Sequence, residues 1–336
     1  MDSKPFVIVT SISAPNAALR MFAEAGAQHG YGFIVVGDNK SPAEFDVAGC
    51  DFYSMDRQRG TGFALAAICP ANHYVRKNLG YLLAIREGAS LIRDTDDDNF
   101  PRDGFWSVLG RDQTIPTSTG AGWVNVYDWF SDAPIWPRGL PLNEIRNPPA
   151  SFETLPSELV DCPIQQGLAD ENPDVDAIYR LVHPLPQSFR VDRRVALGSG
   201  SWCPFNSQNT TWYPQAYPLL YLPATCTFRM TDIWRSFVAQ RIAWANGWSI
   251  LFHEATVWQE RNDHDLMADF KDEVPGYLHN RAICAELAGL ELAPGTENIG
   301  ANLRRCYAAL VAKDWLKPLE LELLDAWLED LAGLSA

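Results

Sequence analysis

The sequence predicts an α/β fold that opens with a parallel sheet and closes with a set of helices. Three observations predict it. Strand and helix patterns alternate over the first hundred residues. Polar residues follow the ends of the predicted strands, where parallel sheets form a ligand crevice. After Pro275 the apolar residues recur only at helical spacing. The 336 residues suffice for one large domain or two modest ones with a buried core.

The first strand–helix–strand unit covers residues 6–37. A β-branched run at 6–10 and an apolar run at 32–37 predict strands, and helical spacing at 14–29 predicts the helix between them. Asp38 directly follows the second strand. This order is typical of a parallel βαβ unit.

A second unit follows, with a helix over 74–87 and a strand that contains Leu91 and Ile92. The helix pattern is amphipathic, with one apolar face made of Val75, Leu79, Leu82 and Leu83. The strand runs into the acidic sequence DTDDDNFP. Because the carboxyl ends of neighbouring parallel strands meet at one edge of a sheet, we expect the polar residues there to converge. These are Thr10, Ser11, Asp38 and residues 94–98.

The middle of the chain, residues 110–228, is rich in Pro, Gly and Trp and predicts short strands with long ordered loops. Helical spacing returns in TDIWRSFVAQRIAWANG, and the strand WSILFHE follows it. The tail carries two apolar stripes, which we expect to pack against the domain or to form a dimer surface. The stripes are Leu303, Cys306, Tyr307, Leu310 and Val311, and then Leu321, Leu324, Leu328 and Leu331.

The overall composition excludes several classes of partner. The formal charge of −15 repels nucleic acid and anionic membranes, and the 47% of hydrophobic residues is typical of a folded protein. The start MDSKPFVIVT has no signal-peptide pattern, and four prolines interrupt the longest uncharged stretch, 195–228. The seven cysteines form no CxxC pair. We therefore expect a cytoplasmic protein without a membrane span.

Four carboxylates follow the second unit's strand, at Asp94, Asp96, Asp97 and Asp98. They would repel one another unless a divalent cation or hydrogen-bond donors compensate them, so the pattern predicts a metal site. An EF-hand loop is excluded, because its glycine and glutamate positions hold Asn99 and Phe105. A phosphatase-type nucleophile and a solvated acidic turn that caps the next helix stay open as alternatives.

Six blocks of the sequence, taken together with this Asp-x-Asp pattern, resemble the STELLO family of glycosyltransferases. The blocks are KNLGYLLAIREGASLIRDTDDDN, IWPRGLPLNEI, PIQQGLADENPDVDAIYRL, PFNSQNTTW, FRMTDIWRSFVAQRI and WQERNDHDLMADFKDEVPGYL. The resemblance runs from about residue 5 to about residue 280 and implies a GT-A fold, which is Rossmann-like and nucleotide-binding. It implies a catalytic domain at 1–275, with a donor half to about 110 and an acceptor half from 111, and a helical extension at 276–336.

For the donor, the resemblance implies a nucleotide sugar whose diphosphate is bridged by Mn²⁺ or Mg²⁺ on Asp96 and Asp98. Asp94 is expected to face the ribose. The implied nucleotide contacts are Thr10, Asp38 and Lys77. Asp38 and Lys77 have structural alternatives of equal weight, a turn aspartate and a solvated helix lysine.

For the transfer step, the resemblance implies that Asp232 in TDIWR is the general base of an inverting reaction; the alternative is a helix cap. Gln259 occupies the position where many GT-A enzymes have a histidine ligand. Either His264 substitutes for it, or the metal has only aspartate ligands and Arg261 neutralises the diphosphate. Candidate sugar contacts are Gln165, Gln166 and residues 206–209, whereas His253 is expected to be structural.

These implications together predict a metal-dependent, inverting glycosyltransferase of polysaccharide biosynthesis, with a carbohydrate or glycan-precursor acceptor. The base, sugar and acceptor stay open, and the helical tail offers a surface for oligomer formation. A nucleotide-sugar mutase is an alternative, because plant sugar mutases have a comparable triple-aspartate motif. A non-catalytic nucleotide-sugar-binding partner of a polysaccharide synthase is another.

Overall fold

A ten-stranded mixed sheet and a separate two-stranded sheet form the framework of the molecule, which a computed structural model describes for residues 3–261 and 265–335. The strands are β1 (Phe6–Thr10), β2 (Gly32–Val36), β3 (Asp51–Tyr53), β4 (Ile92–Thr95), β5 (Asn99–Pro101), β6 (Asp112–Ser118), β7 (Gly122–Trp123), β8 (Ser157–Asp170), β9 (Arg194–Leu197), β10 (Ser201–Trp202), β11 (Asn209–Trp212) and β12 (Trp248–Gln259).

The α-helices lie between and after these strands. They are α1 (Ala17–Gln28), α2 (Met55–Arg59), α3 (Ala64–Ile68), α4 (Lys77–Arg86), α5 (Tyr127–Phe130), α6 (Ala177–Val182), α7 (Thr231–Ala245), α8 (Leu266–Ala288), α9 (Ile299–Ala312) and α10 (Leu319–Ser335). Two short 3₁₀ turns border the site described below, at Tyr74–Arg76 and Phe228–Met230.

The large sheet has the strand order β3-β2-β1-β4-β11-β8-β6-β9-β12-β5. Its first four strands are parallel, as the alternating pattern of the first hundred residues predicts. β11 then joins antiparallel to both β4 and β8. The predicted α/β class is confirmed, with a parallel half followed by a mixed half and a helical C-terminal region.

Side chains of β1, β2 and β4 are buried on both faces, because helices cover both. Val7 and Val9 of β1 pack in the same cluster as residues of α1, while Ile8 packs in the cluster that contains α4. α4 approaches the sheet closely at Gly80, where a Cβ atom would lie 2.7 Å from the side chains of Ile8 and Val36. A larger residue there would push α4 away from the sheet.

α4 is the clearest difference from the sequence prediction. The helix was expected to be amphipathic, but eight of its residues, from Lys77 to Ala84, are buried. Its outer side is covered by α10 and by the chain at Leu222, whose backbone exchanges two hydrogen bonds with the Asn78 amide, of 3.0 and 2.9 Å. The polar face of α4, which the sequence pattern places at the surface, is therefore inside the protein.

The C-terminal helices belong to the main core. The first apolar stripe and most of the second pack in the same cluster as Leu79 and Ile92. Asp330 of α10 accepts hydrogen bonds from the Ala64 and Leu65 amides, at 2.7 and 2.9 Å, and so caps α3. The two apolar stripes thus pack within the chain, and oligomer formation through these helices stays a prediction.

A second carboxylate of α10, which is buried, ties this helix to the segment that precedes α7. Glu320 accepts hydrogen bonds from the Tyr221 hydroxyl at 2.5 Å and from the Thr225 amide and hydroxyl at 2.8 and 2.7 Å. The Ala224 amide also donates to it.

The division at residue 275 stays a prediction, and α8 runs through that point as one helix. Within the described residues, the helices lack the combination of length and apolarity that a membrane crossing needs.

Candidate functional site

A cleft of about 560 Å³ lies at the carboxyl ends of the parallel strands. It brings together most of the residues that the strand-end argument groups. Those that line it are Thr10, Ser11, Asp38, Asp96, Asp97 and Asp98. Asp232, Gln259 and Arg261 line the same cleft from the second half of the chain. The expected convergence therefore occurs, with the exception of Asp94 and Thr95, which do not line the cleft.

The part of the cleft at the ends of β1 and β2, where nucleotide contacts were predicted, contains the Asp38 carboxylate. Asp38 accepts hydrogen bonds from the backbone amides of Asn39, Asn72 and His73, at 2.7, 2.9 and 2.9 Å. These contacts hold the 72–73 loop against the end of β2. Thr10 lies beside it as the last residue of β1. Asp38 therefore has the turn role that the sequence offered as an alternative, and it also lines the cleft.

An aromatic group borders this end of the cleft. The Tyr74 and Phe228 rings lie 4.8 Å apart, edge to face, and His73 is 5.9 Å from Phe228. Phe228 is 49% exposed, so a flat ligand can stack on it. The sequence prediction did not include these residues; the high aromatic content of the chain was the only signal.

Asp94 and Lys77 lie beneath the cleft instead of at its surface. Both side chains are fully buried and form an ion pair of 2.7 Å, and Arg235 binds the second Asp94 oxygen at 3.0 Å. This differs from the expected contacts with ribose and phosphates. The cause is the close packing of α4, which brings Lys77 under the end of β4, where its amine also donates to the Thr95 carbonyl at 2.6 Å.

Carboxylates crowd the loop after β4. Burial, together with the charges of Asp98, Asp94 and Asp232, raises the pKa of Asp96 to about 7 against the opposing effect of Lys77. Burial also raises the pKa of Asp97, which accepts a 2.5 Å hydrogen bond from Ser11. Uncompensated negative charge of this kind fits a divalent cation.

The described residues contain no group of three or more His, Cys, Asp or Glu side chains that would form a complete metal site. Asp96 and Asp98 supply two carboxylates, and Mg²⁺ commonly binds with one or two carboxylates plus substrate phosphates and water. Gln259 donates a 2.9 Å hydrogen bond to Asp98, so in this arrangement it orients a candidate ligand. His264 lies outside the described residues.

Asp232 lies in the first turn of α7 and is nearly buried. Arg138 binds both of its oxygens, at 3.0 and 2.8 Å, and the Ser207 amide donates at 3.3 Å. Although burial opposes ionisation, the Arg138 guanidinium holds the pKa of Asp232 below its usual range. Met230, and not Asp232, is the N-cap residue of α7, but Asp232 also accepts a 3.0 Å hydrogen bond from the first-turn amide of Ile233.

Arg138 also binds Asp174, at 2.7 and 2.9 Å, and joins it to Asp232 in one buried network. Neither Arg138 nor Asp174 was singled out from the sequence, although both lie in blocks that carry the family resemblance. Their pairing depends on contacts between residues 36 and 94 positions apart. The one sequence feature that could have pointed to Arg138 is that it is the only charged residue in the segment IWPRGLPL.

The amide-rich segments divide between the cleft and the interior. Residues 206–208 line the cleft. Gln165 and Gln166 instead bind backbone groups within the sheet, and Asn209 binds the Leu168 carbonyl and Thr256. His253 is buried in β12 and contacts the Glu254 carbonyl, as a structural histidine would.

The family model of STELLO glycosyltransferases matches residues 229–335. Two proteins of Arabidopsis thaliana are similar to the chain. The probable glycosyltransferase STELLO2 is 26% identical over 350 residues, covering 98% of this chain and 45% of that protein. The probable glycosyltransferase STELLO1 is 28% identical over 276 residues, covering 76% and 35%. The chain spans less than half the length of these relatives.

Among solved structures, glucosyl-3-phosphoglycerate synthase from Mycobacterium tuberculosis, in complex with phosphoglyceric acid, has a TM-score of 0.44 to this chain at 8% identity. The alignment covers 84% of this chain and 81% of that one. In sequence the chain is STELLO-like. The expectation that the likeness ends near residue 280 is wrong, because the family match includes α9 and α10.

Proposed function

We propose that this STELLO-like chain is a glycosyltransferase that binds a nucleotide-sugar donor in the cleft and transfers the sugar to a carbohydrate or glycan-precursor acceptor. One observation carries the proposal. Asp96 and Asp98, two carboxylates that could hold a divalent cation, line the cleft. Asp232, whose carboxylate is kept ionised by Arg138, lines the same cleft. The similarity to proteins named as probable glycosyltransferases supports it.

At the donor side, Asp96 and Asp98 would hold Mn²⁺ or Mg²⁺. Such a cation would neutralise the charge that develops on the departing diphosphate. Gln259 keeps Asp98 in place, and Lys77 lies below Asp96 at 3.3 Å. Thr10, the Asp38 loop and the exposed Phe228 ring are our candidates for contacts with the nucleoside.

At the acceptor side, Asp232 would accept the proton of the attacking hydroxyl in an inverting reaction. Arg138 keeps this carboxylate ionised and fixes its orientation. In this structure Asp232 accepts four hydrogen bonds, two from Arg138 and one each from the Ser207 and Ile233 amides, which is about as many as a carboxylate can accept. The acceptor hydroxyl would therefore displace one of them, and the 3.3 Å bond from the Ser207 amide is the longest. Arg138 is therefore a positioning residue.

Calorimetry with a panel of nucleoside diphosphates, with Mn²⁺ and with EDTA, tests the donor site. We expect binding in Mn²⁺ that falls at least tenfold in EDTA and in Asp96→Asn and Asp98→Asn. Asp56→Asn, at an exposed position outside the cleft, is the matched control. Equal affinity in EDTA and in both cleft variants would refute the metal assignment.

Product analysis tests the reaction. We expect Asp232→Asn to retain its fold and its nucleoside diphosphate affinity while transfer falls by about 10² to 10⁴-fold, the usual contribution of a positioned base. Unchanged turnover, or a product that keeps the donor's anomeric configuration, contradicts the inverting role. Isomerisation of the donor without an acceptor would indicate a mutase, and donor binding without turnover a non-catalytic partner.

A further inference from the structure

Five arginines line the cleft. Arg76 donates to the Gln58 side chain and to the Cys69 and Pro70 carbonyls. The other four come from four separate elements. Arg138 follows α5, Arg180 lies in α6, Arg229 in the 3₁₀ turn before α7, and Arg261 after β12. Three of them have carboxylate partners within 3 Å. These pairs are Arg138 with Asp174 and Asp232, Arg229 with Glu273, and Arg261 with Asp269.

Arg180 differs from the other three. Among residues 3–261 and 265–335 it has no carboxylate partner, and it donates only to the Asn172 side-chain oxygen at 3.4 Å and the Pro173 carbonyl at 2.9 Å. Its Nε atom is buried and has no hydrogen-bond partner among these residues. The Nη1 atom of Arg261 is buried and unpartnered in the same sense. Buried donors without an acceptor are costly, so two of them beside one cleft indicate a missing acceptor.

The electrostatics of these two side chains agree with this geometry. Burial, together with the charges of Arg261 and Arg229, lowers the pKa of Arg180 to about 9. Burial and the charge of Arg229 also lower the pKa of Arg261. Since a guanidinium keeps its proton in proteins, these shifts mean that positive charge is poorly compensated here. An anion between the two side chains would remove that deficit.

We propose that Arg180 and Arg261 bind an anionic group, a phosphate or a carboxylate, that the acceptor carries. The guanidinium fork matches the two oxygens of either group. The inference deepens the proposed function and rests on it, because it specifies the chemical class of the acceptor.

The surroundings of Arg180 favour the acceptor over the donor as the source of this anion. Pro173, which binds Arg180, precedes Asp174, and Asp174 is joined through Arg138 to the proposed base Asp232. The donor diphosphate is already assigned to a cation on Asp96 and Asp98. An anion at Arg180 would therefore hold the acceptor on the Asp232 side of the cleft.

The test is calorimetry on the full chain with inorganic phosphate and, separately, with glucuronate, each in Mg²⁺ with and without a saturating nucleoside diphosphate. We expect at least one of the two anions to bind in both conditions. Arg180→Gln should weaken that binding at least tenfold and change the nucleoside diphosphate affinity by less than twofold. Arg180→Lys should lie between, since a lysine keeps the charge and loses the fork.

Arg190→Gln is the matched control, because Arg190 is exposed, pairs with Asp132 and lies outside the cleft. Thermal unfolding of each variant checks the fold. The proposal is overturned if neither anion binds the wild type, or if Arg180→Gln binds phosphate and glucuronate as the wild type does. It is also overturned if phosphate competes with the nucleoside diphosphate and Arg180→Gln weakens both, since the arginines would then serve the donor. If the wild type binds no nucleoside diphosphate while its phosphate binding depends on Arg180, the proposed function fails and the anion site stands.

Discussion

The aspartates after β4 and the aspartate that opens α7 line the same cleft in opposite electrostatic settings. Asp96 faces other carboxylates, and its pKa rises to about 7. Asp232 is held by Arg138, and its pKa falls. The negative charge around Asp96 would be compensated by an added cation, whereas the charge of Asp232 is already compensated by Arg138. Identical side chains are therefore suited to different tasks by their neighbours, and each prediction below tests that contrast.

The largest effect is expected from removing the compensating charge. Arg138→Leu leaves Asp174 and Asp232 buried without their partner, and we expect the free energy of unfolding to fall by about 3–5 kcal/mol. Urea denaturation measures it. Arg111→Leu is the control, since its single partner Asp161 is partly exposed and the loss there should be at most about 1 kcal/mol. If Arg138→Leu and Arg111→Leu lowered the free energy of unfolding equally, Arg138 would not be the special compensating charge that we describe.

The next effect comes from Asp232→Asn. It leaves one oxygen to accept from Arg138 and turns the other into an NH₂ group that faces two donors, an Arg138 nitrogen and a backbone amide. We expect a loss of about 1.5–3 kcal/mol in the free energy of unfolding. Urea denaturation in EDTA measures it, with Asp161→Asn as the partly exposed counterpart. A gain in stability would show that Arg138 does not compensate Asp232.

The same substitution on the other side of the cleft should have the opposite sign. Asp96→Asn removes one of several mutually repelling charges, so in EDTA we expect stability to be unchanged or to rise by up to about 1 kcal/mol. The variant should also lose the increase in melting temperature that Mn²⁺ gives the wild type. If Asp96→Asn lost as much stability in EDTA as Asp232→Asn does, the interpretation that Asp96 is repelled by neighbouring carboxylates would be rejected.

The smallest effect is a dependence on pH. A lowered folded-state pKa means that Asp232 stabilises the fold above the unfolded-state value, about 3.9, and that this contribution disappears as the pH falls through the folded-state pKa. Because the Asp232 charge also raises the pKa of Asp96, the comparison is made in an Asp96→Asn background. There the stability lost on Asp232→Asn should be constant from pH 7 to pH 5. It should shrink by about 0.3 kcal/mol at pH 4. Urea denaturation at these pH values would contradict this if the difference grew on acidification.

The sequence predicted the residues whose position follows from local pattern. Thr10, Asp38 and the acidic loop at 96–98 come directly after strands, and parallel strand ends meet at one edge whatever the rest of the fold does. Asp232 came from the family resemblance. The parallel half of the sheet followed from the alternation of strands and helices.

The residues that sequence reasoning missed or misplaced depend on distant contacts. Arg138 joins two aspartates from separate elements, and no local spacing signals such a contact. Lys77 lies on a helix whose apolar pattern suggested an exposed polar face, yet the close approach at Gly80 and the covering of α4 by α10 bury it. Long-range packing decided both.

The two carboxylates of α10 have a consequence for the order of events during synthesis. Glu320 and Asp330 bind backbone amides 95 and 266 positions earlier in the chain, at Thr225 and Ala64. Those amides lie in the segment before α7 and at the start of α3, so the first lacks its partner until residue 320 is synthesised and the second until residue 330 is synthesised. A nascent chain that stops before α10 holds the parallel half of the sheet but lacks the anchor for the segment leading to Asp232. We therefore expect the site to be completed only after translation has passed α10, and a chaperone that holds the unfinished chain would have to protect the apolar surface of α4 that α10 covers.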